Sequence, residues 1–499
     1  MIESFAKRLG FRLGAVCLGL GLVLLFEVVL RWGGLGGAAL SWDPHLGLRD
    51  VRPLFERDET GEFFQTATTR TNYFVRDRFP VVKKQNHLRV FCLGGSTVQG
   101  RPYAIETAFP RWMALSLQAR DPSLTWEIVN VGGVSYASYR LVPILEECLR
   151  HYQPDLIILC TGQNEFLEDR TYAPIREQSP VLLWWQARSQ NWRIPQLFSS
   201  VWRGLGKAFG GVSRDGVATV RPILPAEVDA FLDYRGGLEA YRWDPGWRAG
   251  VVAHFESNVT RMLGMCRQAK VPALVLSPPV NLRSVPPFKS EHRAALSAQE
   301  LTQWQRCISK AEEHYAGAPE TSVQWLRRAI KVDPQYAETH FALGTVLEGM
   351  GRRRDARRSF VLAKERDVCP LRLLEVQRET LATIARRYDQ VFVDLHDILE
   401  RESGYMALGS ELLVDHVHPS IRGHQLIGTR LVDVLVAEGW AENKAADWRE
   451  EQAAAFARHL EALPGSYYAH GNLRLENLRL WTQGRTDGMP LRQMKRNSD

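Results

Sequence analysis

Residues 88–96 read LRVFCLGGS, a mainly apolar run that ends in two glycines and a serine. Four later runs are also nearly continuously apolar, and they cover residues 126–130, 155–160, 272–277 and 391–395. Helical patterns lie between these runs. Strands that are apolar on both faces and alternate with helices are typical of a parallel sheet buried between layers of helices. The sequence therefore predicts an α/β layered domain.

The composition is that of an ordinary globular protein. The chain has 499 residues, of which 45% are hydrophobic and 24% charged, and this excludes a disordered chain, a fibrous repeat or a multi-span transporter. The net charge of +7 is too mild for the basic face of a nucleic-acid binder, so no nucleic-acid partner is expected. Seven cysteines include no CxxC pair, which argues against a zinc module and a disulfide-dense scaffold.

The amino-terminal residues predict a membrane anchor. Residues 13–30 are apolar except for Glu27, and a basic segment, residues 1–12, precedes them. This length is near the minimum for a helix that crosses a bilayer core of about 30 Å. Because basic flanks stay in the cytoplasm, we expect a transmembrane signal anchor over 13–31, with the rest of the chain outside the cytoplasm, in the periplasm of a bacterium. A cleaved signal peptide and a buried core helix are the alternatives.

Periodicity divides the rest of the chain into one interrupted sheet domain and its additions. The predicted order is a tether (32–86), the first part of the sheet domain (87–165), a cap insertion rich in Trp and Arg (166–250), the middle part (251–283), a helical insertion (284–370), the last part (371–440), and carboxyl-terminal helices with a polar tail (441–499). The cap insertion is too long for a plain connection. Its tryptophans form the cap's own small core, line a substrate cleft, or rest on the membrane surface.

The helical insertion contains a pattern close to a 34-residue tetratricopeptide unit. Small and large residues stand where such a unit places them, at Leu343, Gly344, Leu347, Gly351, Ala356, Phe360 and Ala363. The small residues let two antiparallel helices approach, and the large ones fill the seam. One clear unit and one partial unit fall below the roughly three repeats needed for autonomous stability, so we expect the segment to lean on the α/β domain. It is a structural insertion or a groove for a protein partner.

Four polar motifs follow predicted strands or precede the last helix of the sheet domain. They are Gly94-Gly95-Ser96-Thr97, Asn130–Ser138, Gly162–Glu165 and Asp415–His418. The carboxyl ends of parallel strands meet at the edge of the sheet where ligands bind. Ser96 falls in a sharp strand-to-helix turn, and the glycines before it allow a close backbone approach. An Asp three residues before a His can accept the imidazole Nδ1–H and leave Nε2 free as a general base.

The Asp415–His418 loop has two other interpretations. Asp415, His416 and His418 could form a metal site, to which His424 would add a further ligand. There is no Cys partner and no HExxH-type helix, so no metal is predicted. A solvated histidine-rich loop is the second alternative.

The order of these motifs resembles that of the SGNH (GDSL-like) hydrolases, over roughly residues 88–439 with the two insertions excluded. The resemblance implies a three-layer α/β/α fold, ester hydrolysis through an acyl-enzyme, and no cofactor. It also implies the roles of four residues: nucleophile Ser96, oxyanion-hole amide Asn164, base His418 and orienting carboxylate Asp415.

Two features depart from the family pattern. The nucleophile turn reads Gly-Gly-Ser-Thr instead of Gly-Asp-Ser-Leu, and Ser135 stands where the family has a glycine that donates its backbone N–H. A backbone donor survives that change, or a shift of the loop gives the role to Gly133. The resemblance therefore implies an oxyanion hole made by the amides of Ser96 and Ser135 (or Gly133) and the side chain of Asn164.

Two further loops are expected on the same edge of the sheet. Asn281 and Arg283 follow the fourth strand and are candidates for substrate contact, as is the segment Arg101-Pro-Tyr103. Loop scaffolding is the alternative for both. Cys92 and Cys160 lie inside predicted strands, where a small buried core residue is expected instead of a reactive thiol.

The leading hypothesis is a membrane-tethered serine esterase that hydrolyses acyl esters of glycans or lipids outside the cytoplasm. An envelope glycan O-acyltransferase would use the same residues with a different acceptor. The alternative from another class is an inactive scaffold that binds a protein partner through its insertions. The joint presence of Ser96, Asn164, Asp415 and His418 favours an enzyme.

Overall fold

A computed structural model of the chain describes residues 53–168 and 237–482, together with residues 18–19, 21–30, 32, 194, 228 and 230–234. Its centre is a five-stranded parallel sheet. The strands are β4 (His87–Gly94), β5 (Thr125–Gly132), β6 (Leu156–Cys160), β7 (Ala273–Ser277) and β8 (Val391–Asp394), after β1 (Phe55–Arg57), β2 (Phe63–Thr66) and β3 (Arg78–Pro80). Each of the five predicted strands is present, with boundaries within two residues of the prediction, so the buried parallel sheet is confirmed.

The helices precede, separate and follow these strands. They are α1 (Ser96–Gln99), α2 (Phe109–Arg120), α3 (Ser138–His151), α4 (Phe231–Tyr234), α5 (Pro245–Ala269), α6 (Ala298–His314), α7 (Pro319–Val332), α8 (Ala337–Gly349), α9 (Arg353–Arg366), α10 (Glu375–Arg387), α11 (Leu395–Ser403), α12 (Ile421–Ala437), α13 (Trp448–Glu461) and α14 (Gly465–Trp481). Short 3₁₀ turns cover Thr68–Arg70, Ile105–Thr107 and Gly237–Ala240.

The sheet buries both of its faces. In β4, Phe91 and Leu93 join the core under α3, α5 and α10, whereas Val90 and Cys92 join a second core under α2, α11 and α12. This alternation follows from the two-residue period of a strand, and it makes three layers, α/β/α. Cys92 and Cys160 are buried, and burial raises the pKa of the Cys160 thiol to about 12, in line with core residues.

Arg89 is the one charged residue in the β4 run, and it is fully buried. Its Nε donates to Glu127 on β5 at 2.7 Å, and its Nη atoms donate to the carbonyl oxygens of Tyr152 and Pro80. A buried guanidinium is tolerated when each of its donors finds an acceptor. Arg89 therefore joins β4 to β5, to the end of α3 and to β3.

The strand order determines where the sheet has a crevice at the carboxyl ends of its strands. The order is β5-β4-β6-β7-β8, so the chain passes from β4 to the edge strand β5 and then returns to β6 on the other side. The connections after β4 and β6 therefore diverge, and such a switch point opens a crevice at the carboxyl ends of the strands. Ser96 follows β4 and Asn164 follows β6, so this crevice brings them together.

The segment before the sheet differs from the predicted tether. Residues 53–86 contain the antiparallel sheet β1-β2-β3, and Phe55 and Phe79 pack edge-on against each other with ring centroids 5.1 Å apart. Both rings also contact Phe91 of β4. The aromatic residues of this segment bury apolar area against the sheet domain, which an extended tether would leave in water.

The amino-terminal helix is described in part. Residues 18–19 and 21–30 are helical, with exposed side chains that include Leu22, Leu25 and Phe26. Within the described residues, the structure contains no helix that is both long enough and apolar enough to span a bilayer.

The cap insertion is described at residues 166–168, 194, 228, 230–234 and 237–250. Trp184, Trp185, Trp192 and Trp202 lie outside the described residues. Trp247 is buried in a small cluster with Phe166, Phe231 and Tyr241. It lies in the first turn of helix α5, which begins at Pro245, five residues before the expected cap boundary at residue 250. For Trp247, the described contacts are those of a core residue.

The helical insertion contains four helices, α6 to α9, of which each packs on the next. Gly344 of α8 faces Phe360 of α9, and a Cβ at Gly344 would lie 2.7 Å from the ring. Contacts also join the insertion to the sheet domain: Lys364 Nζ donates to the Leu373 carbonyl at 2.7 Å, and Arg357 pairs with Glu400 at 2.9 Å. The tetratricopeptide likeness and a partner for this insertion stay predictions.

Candidate active site

Ser96 is placed by a turn that only small residues can make. It is the first residue of α1, directly after β4 and two glycines. A Cβ at Gly94 would lie 2.3 Å from the Cys160 carbonyl oxygen, and a Cβ at Gly95 would lie 2.6 Å from Asn164 Nδ2. The glycines therefore let β4, β6 and the Asn164 loop approach each other behind the Ser96 hydroxyl.

His418 connects Ser96 to Asp415. The Ser96 Oγ lies 2.7 Å from His418 Nε2, and His418 Nδ1 lies 2.6 Å from Asp415 Oδ2. The other Asp415 oxygen accepts the backbone N–H of Val417 at 2.9 Å and of His418 at 2.8 Å. All three functional side chains are buried. This geometry is that of a nucleophile, a base and an orienting carboxylate.

The charge of Asp415 is fixed by its neighbours. Burial by itself raises the pKa of this carboxyl, but His418 and His416 and the hydrogen bonds from His418 outweigh burial and bring the pKa well below its ordinary value. Asp415 is therefore ionised at neutral pH. An ionised carboxylate favours the imidazole tautomer with the proton on Nδ1, which leaves Nε2 to accept the Ser96 proton.

Asn281 lies behind the catalytic loop and does not line the cavity beside Ser96. It is fully buried, its Nδ2 donates to the Asp415 carbonyl at 3.0 Å, and its backbone N–H donates to the His416 carbonyl at 2.9 Å. The structure thus places Asn281 away from the cavity, and the substrate contact predicted for it stays a prediction. Two hydrogen bonds instead hold the loop that carries Asp415.

Arg283 also lies away from the cavity. Its Nη2 contacts Glu411 at 2.5 Å, its Nε lies 3.5 Å from Glu348 of α8, and its guanidinium stacks on Tyr405. Glu348 and Glu411 pair with its Nε and Nη2, and the substrate contact predicted for Arg283 stays a prediction. Arg283 joins the loop after β7 to the helical insertion.

Ser135 and Gly133, the two alternative oxyanion donors, differ in whether their N–H groups are already bonded. The Gly133 N–H donates to the Gly94 carbonyl at 2.9 Å, so that donor is already used. Ser135 lines the cavity and has φ 61°, a left-handed conformation that is uncommon for serine. Among the described residues, no backbone carbonyl accepts the N–H of Ser135 or of Ser96. These two amides are available to a ligand.

Asn164 lines the same cavity. Its Nδ2 donates to the Tyr136 carbonyl at 3.1 Å, which uses one of the two amide protons and fixes the plane of the carboxamide. The second proton finds no acceptor among the described residues. Asn164 thus brings a third donor to the cavity beside the free amides of Ser96 and Ser135.

The other histidines near the site are buried. Burial lowers the pKa of His416 to about 4 and that of His424 to about 3, so both are neutral at pH 7. His424 Nδ1 accepts the Phe109 N–H at 3.2 Å, which assigns it to the packing of α2 on α12. In the part of the chain that the structure describes, no group of three or more His, Cys, Asp or Glu side chains is arranged to hold a metal ion.

The cavity around Ser96 has a volume of about 540 Å³ and a wall that was not predicted. Helix α14 supplies Arg474, Asn477, Leu478 and Trp481, whose spacing of i, i+3, i+4 and i+7 is one face of a helix. A helix was predicted here, and the spacing of these four residues could have indicated that they share one face. Its position over the site depends on packing against distant residues.

A buried polar network supports the Asn164 loop. Glu165 accepts the backbone N–H of Ser138 at 2.8 Å and its hydroxyl at 2.9 Å, and Glu168 forms an ion pair with Arg140 at 2.8 Å. Burial raises the pKa of Glu165 to about 7. Both carboxylates therefore tie the loop to the first turns of α3. No role was predicted for either carboxyl group, although Glu165 ends the Gly162–Glu165 motif.

Comparisons with known proteins find similarity to solved structures alone. No family model matches the sequence, and no curated protein matches it. Similar solved structures include one described as a lipolytic protein of the G-D-S-L family from Desulfitobacterium hafniense (11% identity, 70% of this chain, 99% of that chain, TM-score 0.29). A second is an acetyl xylan esterase, with 10% identity over 70% of this chain and 100% of that chain and a TM-score of 0.31. A third is an acetylxylan esterase from Geobacillus stearothermophilus, with 12% identity over 72% of this chain and 97% of that chain and a TM-score of 0.32.

Proposed function

We propose that this protein is a serine hydrolase of the SGNH type that cleaves acyl esters. One observation carries the proposal: the hydrogen-bonded chain from Ser96 Oγ through His418 to Asp415, at 2.7 and 2.6 Å. The same hydroxyl faces a cavity that also contains the unengaged amides of Ser96 and Ser135. A nucleophile, its base and donors for negative charge are the parts that acyl transfer requires.

The proposed mechanism follows from these positions. His418 Nε2 takes the hydroxyl proton while Ser96 Oγ attacks the ester carbonyl carbon. The Ser96 and Ser135 amides and Asn164 Nδ2 stabilise the oxyanion. His418 then protonates the leaving alkoxide, which departs as the alcohol and leaves the acyl group on Ser96. A water molecule then attacks the acyl carbonyl carbon while His418 takes its proton. The bond to Ser96 Oγ breaks, His418 returns the proton to Ser96, and the carboxylic acid leaves.

A fluorophosphonate probe tests the nucleophile directly. We expect covalent labelling of the wild-type protein, none of Ser96→Ala, and normal labelling of Ser410→Ala, an exposed serine outside the cavity. Mass spectrometry of the labelled peptide should place the adduct on Ser96. A folded wild-type protein that is never labelled would favour the inactive scaffold.

Either water or the hydroxyl of an acceptor can attack the acyl-enzyme. The reaction products therefore distinguish a hydrolase from an O-acyltransferase. A hydrolase releases the free acid at the same rate with or without added glycan. An O-acyltransferase instead transfers the acyl group to the glycan, which mass spectrometry detects as an increase in glycan mass. We propose hydrolysis, with the ester on a glycan or a lipid.

We also propose that residues 13–31 keep the catalytic domain at a membrane, on its extracytoplasmic side. The support is the apolar sequence with basic residues before it and the exposed apolar side chains of the described part, such as Leu22 and Phe26. Fractionation tests this: the full chain should stay with membranes after an alkaline carbonate wash, and a chain without residues 1–31 should not. Release of the full chain by the wash would contradict the tether.

A further inference from the structure

The cavity beside Ser96 carries an unbalanced positive charge. Among the described residues that line it, two are arginines, Arg101 and Arg474, and none is Asp or Glu. His416 is neutral at pH 7, and the charge of Asp415 is engaged by His418. The described surface of the cavity therefore presents two guanidinium groups without a compensating carboxylate.

Arg101 differs from the buried structural arginines of this protein. Arg89, Arg140 and Arg372 each pair with a carboxylate, at 2.7, 2.8 and 3.2 Å. Arg101 has no such partner among the described residues, and its charged neighbour is another cation, Arg474. Burial, and secondly Arg474, lower the pKa of Arg101 to about 10, so it remains protonated at pH 7. A partly buried cation next to a like charge costs stability unless an anion joins it.

Packing holds both arginines near the nucleophile. The Arg101 N–H donates to the Ser96 carbonyl at 3.1 Å, so Arg101 lies at the end of the turn that begins with Ser96. Arg474 Nη1 donates to the Tyr103 carbonyl at 3.0 Å. Gly471 of α14 contacts Tyr103 so closely that a Cβ there would lie 2.1 Å from the ring. The loop after α1 and helix α14 thus present their guanidinium groups to one cavity.

We infer, on the basis of the proposed esterase function, that Arg101 and Arg474 bind an anionic group of the substrate, so that this protein prefers acyl esters of molecules that carry a carboxylate or a phosphate. The planar guanidinium donates two parallel hydrogen bonds to either group. An anion held there balances the charge of the cavity and orients the ester over Ser96. Arg101 and Arg474 then determine specificity without taking part in bond making.

Matched esters test the preference. The anionic probes are para-acetoxybenzoate and para-acetoxyphenyl phosphate, and the neutral probe is the methyl ester of para-acetoxybenzoate. The readout is the ratio of kcat/KM on each anionic probe to that on the neutral probe. Because the chemical reactivity of each probe is the same for every variant, a change in the ratio isolates recognition of the charge. The probe with the higher ratio in the wild-type protein distinguishes a carboxylate from a phosphate.

We expect the ratio to fall at least about tenfold in Arg101→Gln and in Arg474→Gln, the loss of one charge-assisted hydrogen bond. Arg101→Lys should keep part of the ratio, because it keeps the charge but loses the planar pair of donors. Arg458→Gln is the matched control, since Arg458 lies on α13 outside the cavity and pairs with Glu451 at 2.6 Å. Melting temperatures of all variants check that each is folded.

Two outcomes would overturn the inference: equal ratios in wild type and both Gln variants, or an equal fall in Arg458→Gln. Binding of para-acetoxybenzoate to the Ser96→Ala protein, measured by calorimetry, separates this failure from that of the proposed function. Binding that weakens at least about tenfold with Arg101→Gln added supports the anion site even if no ester is cleaved. If Ser96→Ala does not bind para-acetoxybenzoate while fluorophosphonate labels Ser96 of the wild-type protein, the anion site is rejected and the proposed esterase function is retained.

Discussion

Asn164 makes a structural hydrogen bond and has a proposed role in the oxyanion hole, and two measurements on one variant separate the two. Its Nδ2 bond to Tyr136 fixes the loop, and its second amide proton is available to an oxyanion. If Asn164 acts as charge develops, Asn164→Ala should lower kcat by about 10²- to 10³-fold, with a small change in KM. Measuring kcat and melting temperature together checks this. Lost stability with normal kcat in the folded fraction would leave Asn164 only its structural bond.

Asp415 stabilises the fold in its ionised form. Because its pKa is lowered well below the ordinary value of about 3.9, this contribution is fully present above roughly pH 5 and is lost as the pH falls toward the folded-state pKa. Asp415→Asn should lower kcat by about 10⁴-fold, as loss of the orienting carboxylate does in serine proteases.

Urea unfolding at neutral and acid pH tests the charge of Asp415. The free energy of unfolding of wild type minus that of Asp415→Asn should be larger at about pH 7 than at about pH 3, because the Asn variant does not titrate there. A difference that is independent of pH would mean that Asp415 has the same pKa in the folded and unfolded protein.

The pKa of Glu165 is shifted in the opposite direction to that of Asp415. Burial raises its pKa from 4.5 to about 7, so the folded protein binds a proton that the unfolded chain releases, and stability falls as the pH rises through that window. Gln resembles the protonated carboxyl, since its amide N–H can donate to the Ser138 hydroxyl. Relative to wild type, Glu165→Gln should therefore gain up to about 3 kcal/mol in unfolding free energy between pH 4.5 and 8.

Urea titrations at several pH values measure this gain. Glu379→Gln, on the exposed face of α10, is the control and should show no comparable trend. Equal pH dependence in wild type and Glu165→Gln would show that folding does not shift the pKa of Glu165.

At the scale of the element, helix α14 combines a site wall with a docking contact. Tyr467 on its first turn accepts the Ala104 N–H at 3.1 Å, and Gly471 one turn later fits against Tyr103. Gly471→Ala forces a Cβ against that ring, so it should lower the free energy of unfolding by about 1–3 kcal/mol and reduce kcat/KM as the wall moves.

Gly465 provides the matched control on the same helix. No atom lies within 4 Å of a Cβ at this position, so Gly465→Ala should change stability by less than about 1 kcal/mol. Thermal unfolding and ester kinetics of both variants make the comparison. Equal effects of the two substitutions would mean that α14 is not packed against Tyr103.

At the scale of the whole molecule, the helical insertion shares a core with the sheet. Phe360 and Leu347 of the insertion belong to the same buried cluster as Leu373 and Phe255 of the sheet domain. Lys364 is buried at this boundary, with its Nζ bound to the Leu373 carbonyl. We therefore expect urea unfolding followed by circular dichroism and by tryptophan fluorescence to give superimposable transitions. A separate early loss of helical signal would indicate that the insertion unfolds independently.

The sheet and the four motif residues could be predicted because their signals are local. Continuous apolar runs such as 156–160 mark strands buried on both faces, and glycines before Ser96 mark the turn where β4 ends. Parallel strands end at one edge, so Ser96 and Asn164 were expected to meet before any contact was known. The spacing of Asp415 and His418 likewise lies within one loop.

The rest depended on contacts between residues that are far apart in the chain. Asn281 follows a strand as a ligand-binding residue would, yet its amide faces the Asp415 loop, because β7 brings the two loops side by side. Arg474 stands 378 positions after Ser96 and reaches the cavity only because Gly471 lets α14 lie against Tyr103. Local patterns predict which face of a helix or strand is apolar or charged. Which part of the protein that face contacts depends on the packing of the whole chain.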